Sequence, residues 1–229
     1  TDGYKYTSRI QGYVDVTLLK GLTFRMTQGF TFGDNVSRST YGRDSYTTVM
    51  ANGDKTSATA TSTHNYSWTN QNILSYVKEF NRNHRINATA VFEQMYSDDF
   101  IHKTEAKGGL VSTIIGANNT ALGDVMYASG ERTKTAMMSW MGRVNYVLMD
   151  RYMLTASWRY DGSSRLDKDN RWEQFPSVAL AWNAKQERFL RDVNFLSQLK
   201  LRVGYGETGN QAVEPYSAYT ELEATRDAQ

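Results

Sequence analysis

The chain has 229 residues, a net charge of +2, 40% hydrophobic residues and no cysteine. The near-neutral charge provides no basic field for nucleic acid, and the apolar content is too high for a disordered chain. The absence of cysteine excludes disulfide scaffolds, zinc–thiolate sites, iron–sulfur clusters and cysteine nucleophiles.

Hydropathy excludes a transmembrane helix but leaves a transmembrane barrel open. The mean hydropathy is −0.60, and the chain contains no uninterrupted apolar run long enough to span a bilayer as a helix. The strands of a transmembrane β-barrel alternate between apolar and polar residues, so they produce no hydropathy peak. The chain begins at Thr1 without the features of a signal peptide, which fits a mature protein, a cytosolic protein or an internal fragment.

Two alternating segments near the start of the chain predict a β-hairpin. In residues 8–18 the apolar face consists of Ile10, Gly12, Val14, Val16 and Leu18. In residues 22–32 the apolar face consists of Leu22, Phe24, Met26, Phe30 and Phe32, interrupted by Gln28. Alternation with a period of two indicates half-buried strands, and Gly21 between the segments indicates a tight turn.

The same alternation recurs further along the chain. It predicts strands over 85–96, 135–148, 151–161, 174–183 and 199–206, with 66–77 as a weaker candidate. Many of these segments reach about ten residues, which is the span of a tilted membrane strand and longer than the usual strand of a globular sheet.

The connections alternate between short and long. Those at Gly21, at 78–84 and at 149–150 are short, whereas 34–63 and 98–133 are rich in Ser, Thr, Asn and Gly and run to about thirty residues, which is uncommon inside soluble domains. Short turns on one side and long loops on the other are typical of outer-membrane barrels. Aromatic residues near strand ends suit the interfacial girdles of such a barrel: Phe30, Phe32, Tyr96, Tyr146, Tyr152, Tyr160 and Trp172.

These patterns predict an all-β antiparallel meander that forms part of a large transmembrane β-barrel. We expect Val14, Phe24, Trp140 and Leu154 to face lipid. We expect four arginines to face the lumen: Arg25, Arg143, Arg159 and Arg202. A soluble glycan-binding β-sandwich is the alternative, and it would require two packed sheets.

A series of short motifs over residues 143–211 resembles one family of membrane proteins. The motifs are Arg143-Val-Asn-Tyr, Asp161-Gly-Ser-Ser-Arg, Phe175-Pro-Ser, Glu187-Arg-Phe-Leu, Leu199-Lys-Leu-Arg, Gly204-Tyr-Gly and Thr208-Gly-Asn-Gln. Their order and spacing are similar to those of the SusC-like TonB-dependent transporters of Bacteroidetes outer membranes. The hairpin around Lys20-Gly21-Leu22-Thr23 is compatible with the same barrel.

The resemblance implies a specific assembly and function. It implies an outer-membrane barrel filled by an N-terminal plug, capped by a SusD-like surface lipoprotein and driven by TonB. It implies import of an oligosaccharide, with peptide import as the alternative. We recognise no plug and no TonB box in this sequence. We therefore expect residues 1–229 to be a partial barrel domain of about eight strands, with the start of a ninth near 216–224.

Other motifs in the chain give no enzyme, cofactor or metal site. Gly204-Tyr-Gly-Glu-Thr-Gly209 matches a dinucleotide-binding pattern, but Pro215 would stop the helix that such a loop needs. Asp98 and Asp99 are adjacent carboxylates, which point apart on an extended chain. The three histidines are widely spaced, and Asp167-Lys-Asp-Asn lacks the remaining features of a calcium loop.

Two further expectations concern aromatic residues. Aromatic faces stack on sugar rings, so the aromatic residues in and beside the long loops are candidate ligand contacts: Tyr41, Tyr46, Tyr66, Trp68 and Tyr127. Residues 187–190 predict a turn of amphipathic helix in a periplasmic connection, in which Phe189 and Leu190 are expected to act as a local packing anchor.

Overall fold

The computed structural model describes residues 2–42, 45, 56–81, 83–108, 116–209, 213, 215 and 216. These residues form eight strands, β1 (Asp2–Leu19), β2 (Leu22–Tyr41), β3 (Ser57–Phe80), β4 (His84–Lys107), β5 (Val125–Leu148), β6 (Tyr152–Ser163), β7 (Trp172–Asn183) and β8 (Lys200–Gly206). One short helix, α1 (Arg188–Arg191), lies between β7 and β8. Short 3₁₀ turns occupy Gly116–Asn118, Thr120–Leu122, Lys168–Asn170 and Ala184–Gln186.

All eight strands belong to one sheet in which each strand pairs with the next along the chain. The pairs β5–β6, β6–β7 and β7–β8 are antiparallel, with Leu148 opposite Tyr152 and Val178 opposite both Ala156 and Tyr205. This arrangement confirms the predicted all-β meander. The alternative of a soluble β-sandwich is wrong, because the described strands form one continuous sheet. In the described part of the chain, no helix is long and apolar enough to cross a membrane.

Tight turns join the strands where the sequence predicted short connections. Gly21 has a φ of 84°, and its carbonyl accepts a 2.7 Å hydrogen bond from the Val77 amide. Met149 and Asp150 both have positive φ, and the Arg151 amide donates to the Leu148 carbonyl at 3.0 Å. Two left-handed residues in succession form the turn whose twist matches that of antiparallel strands.

The long connections are shorter than the sequence predicted. Strand β2 continues to Tyr41 and β3 begins at Ser57, while β4 continues to Lys107 and β5 begins at Val125. The expectation of long loops over 34–63 and 98–133 is therefore wrong in its boundaries. These strand extensions carry polar residues on both faces, so a search for apolar alternation cannot detect them. The expected ninth strand near 216–224 lies outside the described residues apart from Tyr216.

The described contacts divide the chain into two compact units. The first comprises 1–10, 29–68 and 97–134, and its small core consists of Ala58, Ala106 and Ala117, with Ala60 packed against it. The second comprises 11–28, 69–96 and 135–229, and it contains all of β6, β7, α1 and β8.

Along β6 the apolar face is the more exposed one, which is the reverse of the pattern in a water-soluble sheet. Along β6, Leu154, Ala156 and Trp158 are exposed, whereas Thr155 and Ser157 between them are half-buried. Among the described residues, the buried hydrophobic side chains are small ones: Val36, Ala58, Ala106, Ala117 and Ala184. Such a sheet gains almost no stability from a core of its own and needs an apolar surrounding for its exposed face.

Candidate functional site

A hydrogen-bonded polar network lies on one face of strands β5–β7. The Arg159 Nε donates to both carboxylate oxygens of Asp161 at 2.7 Å, and its Nη2 donates to the Ser139 hydroxyl at 3.2 Å. Asp161 is 7% exposed and Ser139 is 3% exposed. A carboxylate this buried needs its charge-assisted bonds, so the Arg159–Asp161 pair is the main electrostatic element of this face.

The same face continues with smaller polar contacts. Thr155 donates to the Asn145 side chain at 2.9 Å, and the hydroxyls of Ser157 and Ser177 are 2.7 Å apart. The register places Arg143 opposite Ser157, on this polar face. These polar groups are compatible with a hydrated surface. Leaving any of them without a hydrogen bond in hydrocarbon would cost several kcal/mol.

The other two arginines expected to face the lumen also lie among polar neighbours or on the polar face. Arg25 forms a bidentate pair with Asp15, with bonds of 2.6 and 2.7 Å, and its guanidinium lies 5.1 Å from the centre of the Tyr13 ring. Arg202 is exposed and lies opposite Ala181 in the register, on the face away from Leu201 and Val203. Whether this face borders the lumen remains a prediction of the barrel assignment.

Aromatic side chains form a continuous ladder on the apolar face. The rings of Trp158 and Tyr160 stack at 5.7 Å, and those of Tyr160 and Trp172 stack at 4.9 Å. The Trp158 Nε1 donates to the Gln174 side chain at 3.3 Å. This cluster has the composition of an interfacial aromatic belt, in which the ring packs against lipid and the polar atom stays hydrated.

A second aromatic group lies towards the other end of the same strands. Tyr146, Tyr152 and Trp182 line an apolar groove of about 580 Å³ together with leucine and valine side chains. Tyr152 and Tyr160 are eight residues apart on one face of β6, which is roughly 27 Å along the strand. With a strand tilt of about 40° this becomes a height of roughly 20 Å, comparable to the apolar band of an outer-membrane barrel.

Glu187 anchors the connection between β7 and β8. Its carboxylate accepts hydrogen bonds from the Tyr152 hydroxyl at 2.7 Å, the Trp182 Nε1 at 3.2 Å and Arg151 at 3.2 Å. The bonds from Tyr152 and Trp182, together with the charge of Arg151, hold the pKa of Glu187 below its ordinary value. Local sequence patterns gave no signal for this site, because Tyr152 and Glu187 are 35 positions apart.

Because folding lowers the pKa of Glu187, the hydrogen bonds to its carboxylate contribute stability at neutral pH, and this stability is lost on acidification. As the pH falls below the ordinary value of 4.5, we expect the amides of Leu190 and Arg191 to lose protection against hydrogen exchange, after correction for intrinsic rates. Glu187→Gln keeps an acceptor but does not titrate, so its protection should not change with pH. Equal pH dependence in the two proteins would contradict the assigned role of Glu187.

The candidate ligand contacts differ in how much of each ring is accessible. Tyr127 is 59% exposed and Tyr41 is exposed at the end of β2. Tyr66 and Trp68 are half-buried, and the Tyr66 ring lies 5.3 Å from the Phe32 ring. All four belong to the first unit, while Tyr46 lies outside the described residues. Their role in ligand binding remains a prediction.

The motifs that could suggest catalysis have other partners in the structure. Asp98 forms a bidentate pair with Arg132 at 2.9 and 2.7 Å, whereas Asp99 accepts a hydrogen bond from Asn65. Strand β8 ends at Gly206, and residues 207–209 are irregular rather than helical. Within the described ranges, no three potential metal ligands come together.

Comparison with curated proteins gives several related receptors. The TonB-dependent receptor SusC of Bacteroides thetaiotaomicron is 53% identical over 90 residues, covering 39% of this chain and 9% of that receptor. The TonB-dependent receptor P26 of Formosa agariphila is 32% identical over 187 residues, covering 80% of this chain and 19% of that receptor. The TonB-dependent receptor P3 of the same organism is 32% identical over 218 residues, covering 92% of this chain and 21% of that receptor.

The chain belongs to the SusC-like TonB-dependent receptors. It spans about a fifth or less of the length of the curated relatives that it matches. No protein-family model matches it. These relatives are receptors rather than enzymes, and they confirm both the predicted resemblance and the predicted outer-membrane location.

Solved structures agree with this SusC-like fold. The RagAB peptide transporter matches with a TM-score of 0.83 at 21% identity, covering 99% of this chain and 25% of that chain. The RagAB peptide importer in its open-open state matches with a TM-score of 0.80 at 22% identity, with the same coverage. At this identity the likeness shows the shared fold, which is part of an outer-membrane β-barrel.

Proposed function

We propose that the receptor containing this chain imports a bulky nutrient across the outer membrane by TonB-dependent active transport. Membership of the SusC-like receptors carries the proposal. The polar face around Arg159 and Asp161 supports it, because such a network needs hydrated surroundings and the lumen of a barrel provides them. We further propose that residues 1–229 form part of the barrel, and that the plug and the TonB box belong to other segments of the receptor.

The proposed ligand is an oligosaccharide, delivered by a SusD-like surface lipoprotein. The resemblance to the SusC-like family, whose ligands are usually oligosaccharides, supports this choice, and SusC itself is 53% identical to this chain over 90 residues. The exposed Tyr127 and Tyr41 rings offer flat apolar faces of the kind that stack on sugar rings. Peptide import is the second candidate, and the fold similarity to the RagAB peptide transporter favours it.

A growth experiment tests both the mechanism and the ligand class. A strain that lacks the receptor gene is grown on defined oligosaccharides and defined peptides, in parallel with a strain that lacks TonB. We expect growth on one or more oligosaccharides to be lost in both strains and restored by the receptor gene. Uptake that persists without TonB would contradict active transport. A defect confined to peptides would overturn the oligosaccharide assignment and support the second candidate.

A pair of substitutions tests the contribution of Tyr127 to binding. We expect Tyr127→Ala in the full-length receptor to raise the Kd for the imported oligosaccharide roughly fivefold, or about 1 kcal/mol. Tyr127→Phe keeps the ring and should bind within about twofold of the parent protein. Isothermal titration calorimetry measures both values. An equal loss in the two variants, or no loss in either, would exclude ring stacking at this position.

A further inference from the structure

The connection between β7 and β8 exposes two large aromatic side chains. Phe195 is 92% exposed and Phe189 is 69% exposed, while Leu190 is half-buried. The expectation that Phe189 acts as a local packing anchor is therefore wrong, and only Leu190 turns inward. The described residues leave most of both rings uncovered, so each ring is available to an apolar partner.

The connection is held in a defined shape that keeps both rings outside. Lys185 donates from its Nζ to the carbonyls of Leu190, Arg191 and Val193 at 3.1, 3.2 and 2.7 Å. Its amide donates to the Leu199 carbonyl at 3.2 Å, which ties the two ends of the connection together. Glu187 fixes the first turn of the connection through Tyr152, Trp182 and Arg151.

Two cations without a described partner lie on the same short helix as Phe189. Arg188 and Arg191 are exposed on α1, and neither guanidinium has a partner among the described residues. Lys185 and Glu187, by contrast, are both engaged within the connection. The exposed residues of the connection therefore include two phenylalanines and two arginines that are unpaired in the described part of the chain, and Asp192 is an exposed acidic residue next to Arg191 in sequence.

Basic residues are concentrated at this end of the sheet as a whole. The four connections on this side, residues 19–22, 78–85, 149–152 and 183–200, carry nine Lys and Arg against four Asp and Glu. Because the entire chain has a net charge of only +2, the remaining residues carry a net negative charge. Short turns mark the periplasmic side of an outer-membrane barrel, so this excess of positive charge lies next to the phospholipid leaflet.

The exposed connection also continues the apolar face of the sheet. The groove formed by Leu180, Leu201 and Val203 is bordered by Tyr152 and Trp182. These two aromatic residues donate the hydrogen bonds that hold Glu187. Tyr152 and Trp182 therefore contact both the apolar face of the sheet and Glu187 in the connection.

We propose that residues 184–199 form an interfacial anchor on the periplasmic leaflet of the outer membrane. In this arrangement Phe189 and Phe195 insert among the acyl chains, and Arg188 and Arg191 bind the phosphates of anionic phospholipids. Exposed aromatic rings combined with basic residues are the features of segments that lie in a membrane interface. The anchor fixes the height of the barrel edge at β7 and β8, and its action does not depend on which nutrient the receptor imports.

Site-directed spin labelling of the full-length receptor in phosphatidylglycerol vesicles tests the insertion. Phe195→Cys reports on the proposed inserted position, and Asp192→Cys, three residues away and exposed, is the matched aqueous control. We expect the label at 195 to be at least about threefold less accessible to a water-soluble nickel reagent, and more accessible to oxygen, than the label at 192. Equal accessibility at the two positions would overturn the anchor.

A second measurement tests the phosphate contacts without perturbing the aromatic residues. The double variant Arg188→Gln/Arg191→Gln should retain roughly three- to tenfold less phosphatidylglycerol relative to phosphatidylethanolamine, because it removes two basic residues from the anionic membrane surface. Lys168→Gln, in the connection on the opposite side of the sheet, should retain the parent ratio. An unchanged ratio in the double variant would overturn the proposed headgroup contacts. Protection of residue 195 by a copurifying protein in detergent would assign this surface to a protein partner instead.

Discussion

Val178→Arg should destabilise the full-length receptor in lipid vesicles by about 2–4 kcal/mol, because it places a cation at mid-height on the lipid-facing side of a barrel strand. Val178 is 44% exposed near the centre of β7, between Ala156 and Tyr205 on the neighbouring strands. Denaturant unfolding followed by intrinsic fluorescence measures the change in the free energy of unfolding.

Ala179→Arg is the matched control for this experiment. Ala179 is the next residue on β7, is also exposed, and lies on the polar face opposite Thr155 and Gly204. A water-filled lumen accepts an arginine at this position, so the change in stability should stay within about 0.5 kcal/mol. If Ala179→Arg costs as much as Val178→Arg, or more, the assignment of the two faces is wrong.

Arg159→Ala should destabilise the receptor by about 2 kcal/mol, because it leaves the buried Asp161 carboxylate without its two charge-assisted bonds. Arg143→Ala is the matched control, because Arg143 is an exposed arginine on the same face. It should change the free energy of unfolding by less than about 0.5 kcal/mol.

The double variant Arg159→Ala/Asp161→Ala separates the loss of the ion pair from the cost of leaving the Asp161 carboxylate unpaired. Arg159→Ala/Asp161→Ala removes both charges, so it should be more stable than Arg159→Ala alone, measured by the same denaturant unfolding. Equal effects of Arg159→Ala and Arg143→Ala would show that the Arg159–Asp161 pair does not contribute to stability.

The sequence was sufficient to predict the strands that contact lipid, because their alternation is required by the membrane itself. The apolar sides of β1, β2 and β4–β8 follow from a period of two, and the turn follows from Gly21 between two alternating segments. The same reasoning could not locate the ends of β2–β5. The extended ends of these strands carry polar or small residues on both faces, as around Arg38, Thr59 and Lys103, so a search for large apolar residues at a period of two does not detect them.

Long-range polar contacts were beyond the reach of sequence patterns. Arg159 and Asp161 are two positions apart and therefore share one face of β6, which is a local signal that could have indicated the pair. Glu187 had no such signal, since its partners come from β6, β7 and the turn before β6. The prediction that Phe189 packs against its own chain was wrong, because an amphipathic turn indicates which side of the turn is apolar but not what covers that side. In a membrane protein that cover can be lipid rather than protein.

A cysteine scan over residues 174–181 tests most directly whether successive residues of β7 alternate between contact with lipid and contact with water. Each single cysteine in the full-length receptor is labelled with an environment-sensitive fluorophore after reconstitution into vesicles. We predict blue-shifted emission at the even positions, which include Pro176, Val178 and Leu180, and water-like emission at the odd positions, which include Ser177, Ala179 and Ala181. Emission that does not alternate, or that is blue-shifted at the odd positions, would contradict the barrel assignment.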